Sequence, residues 1–301
     1  MKILLFGKNG QLGWELQRSL APLGELIVLD RHDSHLCGDL SNLQGIKQTL
    51  QTLQPDVIVN AAAYTAVDKA ETDIELARRI NSEAPAVLAE AARICGALLV
   101  HYSTDYVFDG SGVKPWCETD AVNPLSVYGS SKLAGEQAIQ ASAGLHLIFR
   151  TSWVYAARGQ NFAKTMLRLA RERDQLSVIN DQVGAPTGAE LLADVTAHSL
   201  RLALNHPELS GIYHLAAAGE TSWYDYALHI FNAARKKGVA LKLPDSAVSP
   251  IPSSAYPTAA QRPLNSRLNC TKLKAAFDLT LPHWQDGVER MLAEILENQI
   301  H

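Results

Sequence analysis

Apolar side chains fill Ile3, Leu4, Leu5 and Phe6 without a break, then return at Leu12, Leu16 and Leu20. The first pattern predicts a strand over Lys2–Phe6 buried on both faces. The second repeats on one helical face and predicts a helix over Gln11–Ala21. The alternation continues. Glu25–Asp30, Val57–Ala63 and Ala97–Ser103 read as further strands. Leu43–Leu53 carries Leu43, Ile46, Leu50 and Leu53 on one face and stops before Pro55. An Ala/Leu/Arg-rich helix is predicted over Ile74–Cys95, with Gly96 at its C-terminal end. Short apolar strands alternating with amphipathic helices give βαβ units around a parallel sheet.

Beyond about residue 150 the pattern loosens. Leu147–Val154, Ser177–Asn180 and Ile212–Leu215 read as strands. Phe162–Arg173, Glu190–Leu204, Ser222–Lys236, Thr271–Phe277 and Trp284–Gln299 read as helices. Pro244–Pro263 holds five of the 13 prolines and reads as an ordered covering loop or a mobile lid. The expected fold is α/β: a doubly wound, Rossmann-type parallel sheet over 1–150 and a smaller α/β region over 151–301. Some segments of the second region are expected to return to the sheet.

Composition narrows the class. Apolar residues make up 47% of the chain and charged residues 19%, enough for a core and too little charge for disorder. Lys plus Arg number 27 against 31 Asp plus Glu, a net charge of −4. That excludes non-specific nucleic-acid binding, so an anionic ligand must be held by a local arrangement. No stretch approaches the roughly 20 apolar residues of a membrane helix, and the run after Lys2 is too short for a signal peptide. Cys37, Cys95, Cys117 and Cys270 form no C-x-x-C pair, so reduced thiols in a cytoplasmic protein are expected.

Gly7-Lys8-Asn9-Gly10-Gln11-Leu12-Gly13 joins the first strand to the first helix. Glycines at this junction allow a tight turn, close approach of a pyrophosphate and close packing of helix on sheet. The helix N-terminus then offers free N–H groups to the phosphates. The expected ligand is a dinucleotide. Asp30 ends the second strand, where a carboxylate binds the ribose hydroxyls of NADH. Arg31 follows, either as partner of an NADPH 2′-phosphate or as a solvated turn. Use of both cofactors is expected. Asp39 and Leu40 flank the adenine, or else Asp39 or Ser41 caps the next helix.

Tyr128 and Lys132 stand four apart on a predicted helix and so share a face. An ammonium beside a phenol lowers its pKa from about 10 and prepares it for proton transfer. Ser103-Thr104 ends the preceding strand, where open parallel sheets place ligands. Thr104 is the first candidate for the hydroxyl that bonds the reacting carbonyl, with Ser103 as its competitor.

These pieces resemble the extended short-chain dehydrogenase/reductases, and within them the dTDP-4-dehydrorhamnose reductases. The strings that carry the likeness are Asn60 to Glu71, Ser103 to Gly110 and Tyr128 to Glu136. Arg150 to Tyr155, Asn180 to Thr187 and Arg262 to Ser266 continue it, so it spans nearly the whole chain. The resemblance implies that NADPH or NADH reduces the 4-keto group of dTDP-6-deoxy-L-lyxo-4-hexulose to dTDP-L-rhamnose. It implies Thr104, Tyr128 and Lys132 as catalytic residues. Cofactor contacts are implied at Gly7, Asn9, Gly10, Gln11, Leu12, Gly13, Asp30, Arg31, Asp39, Leu40, Ala61, Ala62, Ala63, Tyr128 and Lys132. The substrate contacts implied are Thr65, Val67, Thr104, Asp105, Tyr106, Tyr128, Trp153 and Arg262. Trp153 packs on the sugar or in the core; Arg262 binds the diphosphate, or else has a surface or helix-cap role. Asn161 and Lys164 face the nucleotide, or Asn161 caps its helix. A cytoplasmic homodimer is implied, and Mg2+ is allowed. Glu289, Glu294 and Glu297 are plausible surface carboxylates, but no ligand is assigned.

Related dehydratases carry a glutamate where this chain has Tyr106, which argues for simple reduction. Epimerases of the same fold remain an alternative. A non-catalytic dinucleotide sensor is disfavoured because Tyr128 and Lys132 are both present.

Overall fold

The computed structural model describes residues 1–297. Six strands form one all-parallel sheet: β1 (Lys2–Phe6), β2 (Glu25–Leu29), β3 (Val57–Asn60), β4 (Leu98–Thr104), β5 (His146–Thr151) and a sixth, Gly211–His214. Their order is β2-β1-β3-β4-β5-sixth. The chain steps outward from β1 to β2, then returns to β3 on the other side of β1. This reversal opens a crevice beyond the C-terminal ends of β1 and β3. Register levels those ends: Phe6 lies opposite both Leu29 and Asn60, and Asn60 opposite His101.

The continuous apolar strands are covered on both faces. Ile3, Leu5, Val57, Val59 and Val100 pack against Leu16 and Leu20 of helix α1 (Gln11–Leu20) and against Leu192 and Leu200 of the Ala189–Asn205 helix. Leu4, Phe6, Ile58 and Leu99 pack on the other side with Ile46, Leu50, Leu88 and Ile139. Full burial of each such side chain contributes roughly 1.5–3 kcal/mol. A third cluster includes Tyr155, Leu167, Val178, Phe231, Trp284 and Leu292. It draws on the Phe162–Glu172, Trp223–Lys236 and Trp284–Glu297 helices.

Several elements differ from the expected pattern. The single helix over 74–95 is three pieces: Ile74–Arg78, a π-helical turn at Arg79–Glu83, and Ala84–Cys95. Pro85 has no N–H to give the Asn81 carbonyl, so the regular ladder fails there. The expected strand over 147–154 splits into β5 and Val154–Tyr155, which pairs with Thr187–Gly188 instead of the main sheet. Trp153 makes the break with φ at 48°. The proline-rich stretch contains a strand, Val248–Ile251, parallel to Leu176–Ile179. The last helix is described to Glu297, and the expected residues 298–299 lie outside the described residues.

Candidate active site

The glycine loop forms a lip of bare backbone. Gly7 has φ of 89°, and a Cβ there would stand 2.8 Å from the Ala62 nitrogen. A Cβ on Gly13 would overlap the Gly7 carbonyl. Only glycine lets β1, α1 and the Ala61–Ala62 turn come this close. Gly10 is the N-cap of α1; no side chain caps it and the first turn holds no acidic residue. By contrast, Asn42, Ser126, Asn161 and Ser222 each cap a helix with a side-chain hydrogen bond. The N-terminal N–H groups of α1, at Gln11, Leu12 and Gly13, therefore lack the side-chain acceptor that those four helices have, which suits an anion.

Asp30 lies in the turn after β2. Its carboxylate accepts from the Asn9 amide and, at 2.7 Å, from the His32 N–H. Lys8 bonds Asp33 at 2.8 Å. Arg31 is exposed beside His32. Asp39 accepts from Ser41, but Asn42 caps the Leu43–Leu53 helix, not Asp39 or Ser41. Leu40 is buried in the apolar cluster with Leu29 and Ile46. Ala61 donates to the Phe6 carbonyl at 3.1 Å, and Ala61, Ala62 and Ala63 are half-buried at the crevice floor.

Tyr128 and Lys132 lie on the Val127–Ala141 helix, capped by Ser126. Buried Asn81 fixes the approach: it bonds Tyr64 through both N–H and C=O and reaches Ser131 at 3.0 Å. Lys132 is fully buried, donates to the Tyr102 carbonyl at 2.6 Å, and meets His101 Nε2 at 3.2 Å. Burial lowers its pKa to about 8, against the raising effect of Glu136. Glu136 itself pairs with buried Arg150 at 2.6 Å.

Tyr128 departs from the expected lowering. Burial and then the Asp105 charge push its phenol up to about 12, and the Thr104 hydroxyl bond pulls the other way. Lys132 makes its hydrogen bonds to Tyr102 and His101 rather than to the phenol. Thr104 also accepts from the Tyr106 N–H and donates to Asp105. Thr104, not Ser103, thus faces Tyr128. Burial pushes Asp105 up to about 6, with hydrogen bonds from Ser266 and Thr104 opposing it. Tyr106 meets the Tyr128 ring edge-on at 5.5 Å.

The opposite lip is built from side chains. Arg262 is not free: it bonds Asp68 at 2.7 Å, and Asp68 also accepts from the Ala260 N–H. Asn265 ties the same loop to Lys114 at 2.8 Å. Thr65 is exposed and Val67 half-buried beside Asp68. Trp153 stacks on Trp223 with centroids 3.6 Å apart. The sequence reading missed Trp223, Asp68, His101 and Asn81, because nothing local marks them. Asn161 caps its helix and also reaches Gln11 at 3.3 Å, while Lys164 bonds the Ala157 and Gly159 carbonyls.

This chemistry fits a nicotinamide dinucleotide. Besides the uncapped α1 N-terminus, Ser103, Thr151 and Ser152 hold buried hydroxyls without a protein partner at the ends of β4 and β5. Mg2+ finds no such support: no group of three or more His, Cys, Asp or Glu among the described residues is arranged to hold a metal ion. No helix among them is long and apolar enough to cross a membrane.

Comparison with known proteins points to the same chemistry. The family model described as the RmlD substrate binding domain matches residues 1–297. A dTDP-4-dehydrorhamnose reductase from Salmonella typhimurium is 62% identical over 295 residues, 98% of each chain. The crystal structure of such a reductase from Clostridium acetobutylicum superposes with a TM-score of 0.87 at 37% identity, covering 99% of this chain and 100% of that one. Another, from Bacillus anthracis in complex with NADP, gives 0.86 at 36% identity, covering 97% of this chain and 99% of that one. With a family model spanning the described chain and near-complete coverage of a 62% identical relative, the chain belongs to the dTDP-4-dehydrorhamnose reductase family.

Proposed function

We propose that this protein reduces the 4-keto group of dTDP-4-dehydro-L-rhamnose to give dTDP-L-rhamnose, with NADPH or NADH as reductant. The observation that carries this reading is the pairing of buried Thr104, at the end of β4, with half-buried Tyr128, on the helix that also holds Lys132. Residues 1–150 serve as the cofactor domain and 151–301 mainly as the substrate domain. The Ala189–Asn205 and Thr271–Phe277 helices and the sixth strand support the qualification, since they pack on the sheet.

The bound nicotinamide supplies hydride to carbon 4 of the sugar. The uncapped N-terminus of α1 holds its pyrophosphate, and Lys132 reaches its ribose. Tyr128 is the proton donor. Held at about 12, the phenol keeps its proton across the neutral range until an alkoxide of higher basicity forms beside it. Thr104 bonds the same oxygen and then the phenolate left behind. Asp105 keeps one buried carboxylate oxygen unpartnered, an acceptor for a sugar hydroxyl. Tyr106 and Trp153 exclude water from the sugar, and Arg262 binds the diphosphate. Aligning the reactants contributes alongside proton transfer.

Both cofactors are used in this reading, Asp30 receiving the ribose of NADH and exposed Arg31 the 2′-phosphate of NADPH. The setting is cytoplasmic, as four free cysteines favour, and the assembly a homodimer. The test is NADPH oxidation with the keto-sugar nucleotide generated in situ. One NADPH is consumed per product, whereas an epimerase consumes none. Tyr128→Phe lowers kcat by roughly 100- to 10,000-fold and leaves NADPH affinity intact. Unchanged turnover in that variant overturns the mechanism.

A further inference from the structure

Behind Lys132 lies a buried line of polar groups that the reduction itself does not use. Asn60, at the end of β3, and His101, on β4, face each other across the sheet. Asn60 is 2% exposed and His101 1%. The Ala62 N–H, which can only donate, reaches one side-chain atom of Asn60 at 3.2 Å, so that atom is the amide oxygen. The Asn60 NH2 is thereby turned to His101 Nδ1 at 3.1 Å. Nδ1 must accept, and the single proton of a neutral imidazole then resides on Nε2. That N–H points at Lys132 Nζ, 3.2 Å away. An ammonium has no lone pair to meet it. A neutral amine does, and it still donates to the Tyr102 carbonyl at 2.6 Å.

We propose that Asn60 fixes the tautomer of His101, and that the imidazole N–H so aimed favours the unprotonated amine of Lys132 in the cofactor-free protein, lowering the pH at which it gives up its proton. His101 and Asn60 are positioning residues that act through Lys132. The inference rests on the cofactor role proposed for Lys132. Of the groups around that amine, Glu136 opposes it by raising the Lys132 pKa. On its own helix stand Tyr128, kept neutral, and Glu136, whose charge is paired with Arg150 from β5. The Asp105–Val107 turn brings Asp105 against Tyr128, and the π-turn offers only the neutral amide Asn81. Burial, the larger cause, holds His101 well below its usual range, so it stays neutral. Burial also lowers Lys132 itself. Because Ala62 touches the Gly7 turn, the tautomer is set at the floor of the cofactor crevice.

The test is read on the cofactor-free protein by nitrogen NMR of labelled histidine, with His101→Gln assigning the signal. The expected spectrum shows His101 protonated at Nε2 and bare at Nδ1. Asn60→Asp reverses it: one carboxylate oxygen takes the Ala62 N–H and the other accepts from Nδ1–H. Bare Nε2 then accepts from an ammonium. The Lys132 titration midpoint, followed by its labelled Cε, rises by about one pH unit or more. The limb of kcat/KM set by that group moves the same way. If Asn60→Asp does not fold, His101→Gln, whose amide oxygen can turn to the ammonium, gives the same rise. A proton on Nδ1 in the parent protein overturns the proposal. So does a lower kcat with neither midpoint nor limb displaced, the result a purely structural role gives. The NMR readout needs no substrate, so it stands apart from the Tyr128→Phe test of the reaction.

Discussion

The two lips of the crevice are built by opposite means. On the α1 side the surface is backbone: two glycines in contact, a helix start without a side-chain cap, and the Ala61–Ala62 turn. On the other side it is side chains: Asp105 under Ser266, Arg262 on Asp68, and Trp153 on Trp223. The backbone lip suits a group common to every dinucleotide, since peptide N–H groups recognise phosphate whatever else the ligand carries. The side-chain lip suits a ligand that must be told apart from its relatives, because each contact can be exchanged singly. One lip tolerates no added atom, and the other tolerates exchange at a graded cost.

The sharpest way to break this contrast is Gly13→Ala. The new methyl would overlap the Gly7 carbonyl, a backbone atom that cannot rotate aside. A cost of about 3 kcal/mol, roughly 100-fold in NADPH affinity, is expected from overpacking a site that cannot relax. Titration of tryptophan fluorescence with NADPH measures it. Near-UV circular dichroism of the Trp153–Trp223 stack remains as in the parent. Parental affinity in this variant means that the lip is looser than its geometry says.

The same contrast governs what the sequence discloses. β1, the glycine loop and α1 lie within one short stretch, so apolar runs and glycine spacing suffice to place them. Tyr128 and Lys132 are legible for the same reason: one helical turn holds both. The other lip is assembled from afar. Asp68 meets Arg262 across 194 positions and Lys114 meets Asn265 across 151, and no local pattern marks such pairs. Arg262 was visible as a cation in a proline-rich loop, but its partner was not. Trp153 was visible too, yet its left-handed backbone and the Trp223 ring behind it depend on tertiary packing. The direction of the Tyr128 shift also required structure, since burial outweighs any nearby charge and spacing alone carries no burial.

Arg262 gives an intermediate effect and separates the lips by ligand. Arg262→Ala removes a charged hydrogen bond, worth about 1.5–3 kcal/mol when the partner is an anion. The KM for the sugar nucleotide is expected to rise about 10-fold or more, by the same arithmetic, while that for NADPH stays put. Asp68→Asn takes away the carboxylate that now occupies the guanidinium and should lower the sugar-nucleotide KM. Steady-state kinetics with each substrate varied in turn decides it. Equal changes in both KM values would remove Arg262 from the diphosphate site.

The smallest effect tests the joint that steadies the side-chain lip. His214, at the end of the sixth strand, is fully buried, and its Nδ1–H donates to the Trp116 carbonyl. Its backbone N–H bonds Glu118 at 2.8 Å, so it anchors the segment to which Asn265 also ties the covering loop through Trp116. Burial, helped by the Arg150 charge, lowers its pKa from 6.5 to about 3. The folded protein leaves His214 neutral through mild acid, whereas the unfolded chain binds a proton as pH falls below 6.5. Stability tied to this group is therefore present above 6.5 and lost as pH falls towards the folded value. Between pH 7 and pH 6 the loss is about 0.7 kcal/mol. His214→Asn keeps a donor near the Nδ1 position and cannot titrate, so its denaturant midpoint declines less over that interval than the parent's. His101, also buried and neutral, keeps its share of the slope in both proteins. An unchanged slope would mean that His214 gains a proton inside the fold and that the joint is open to water.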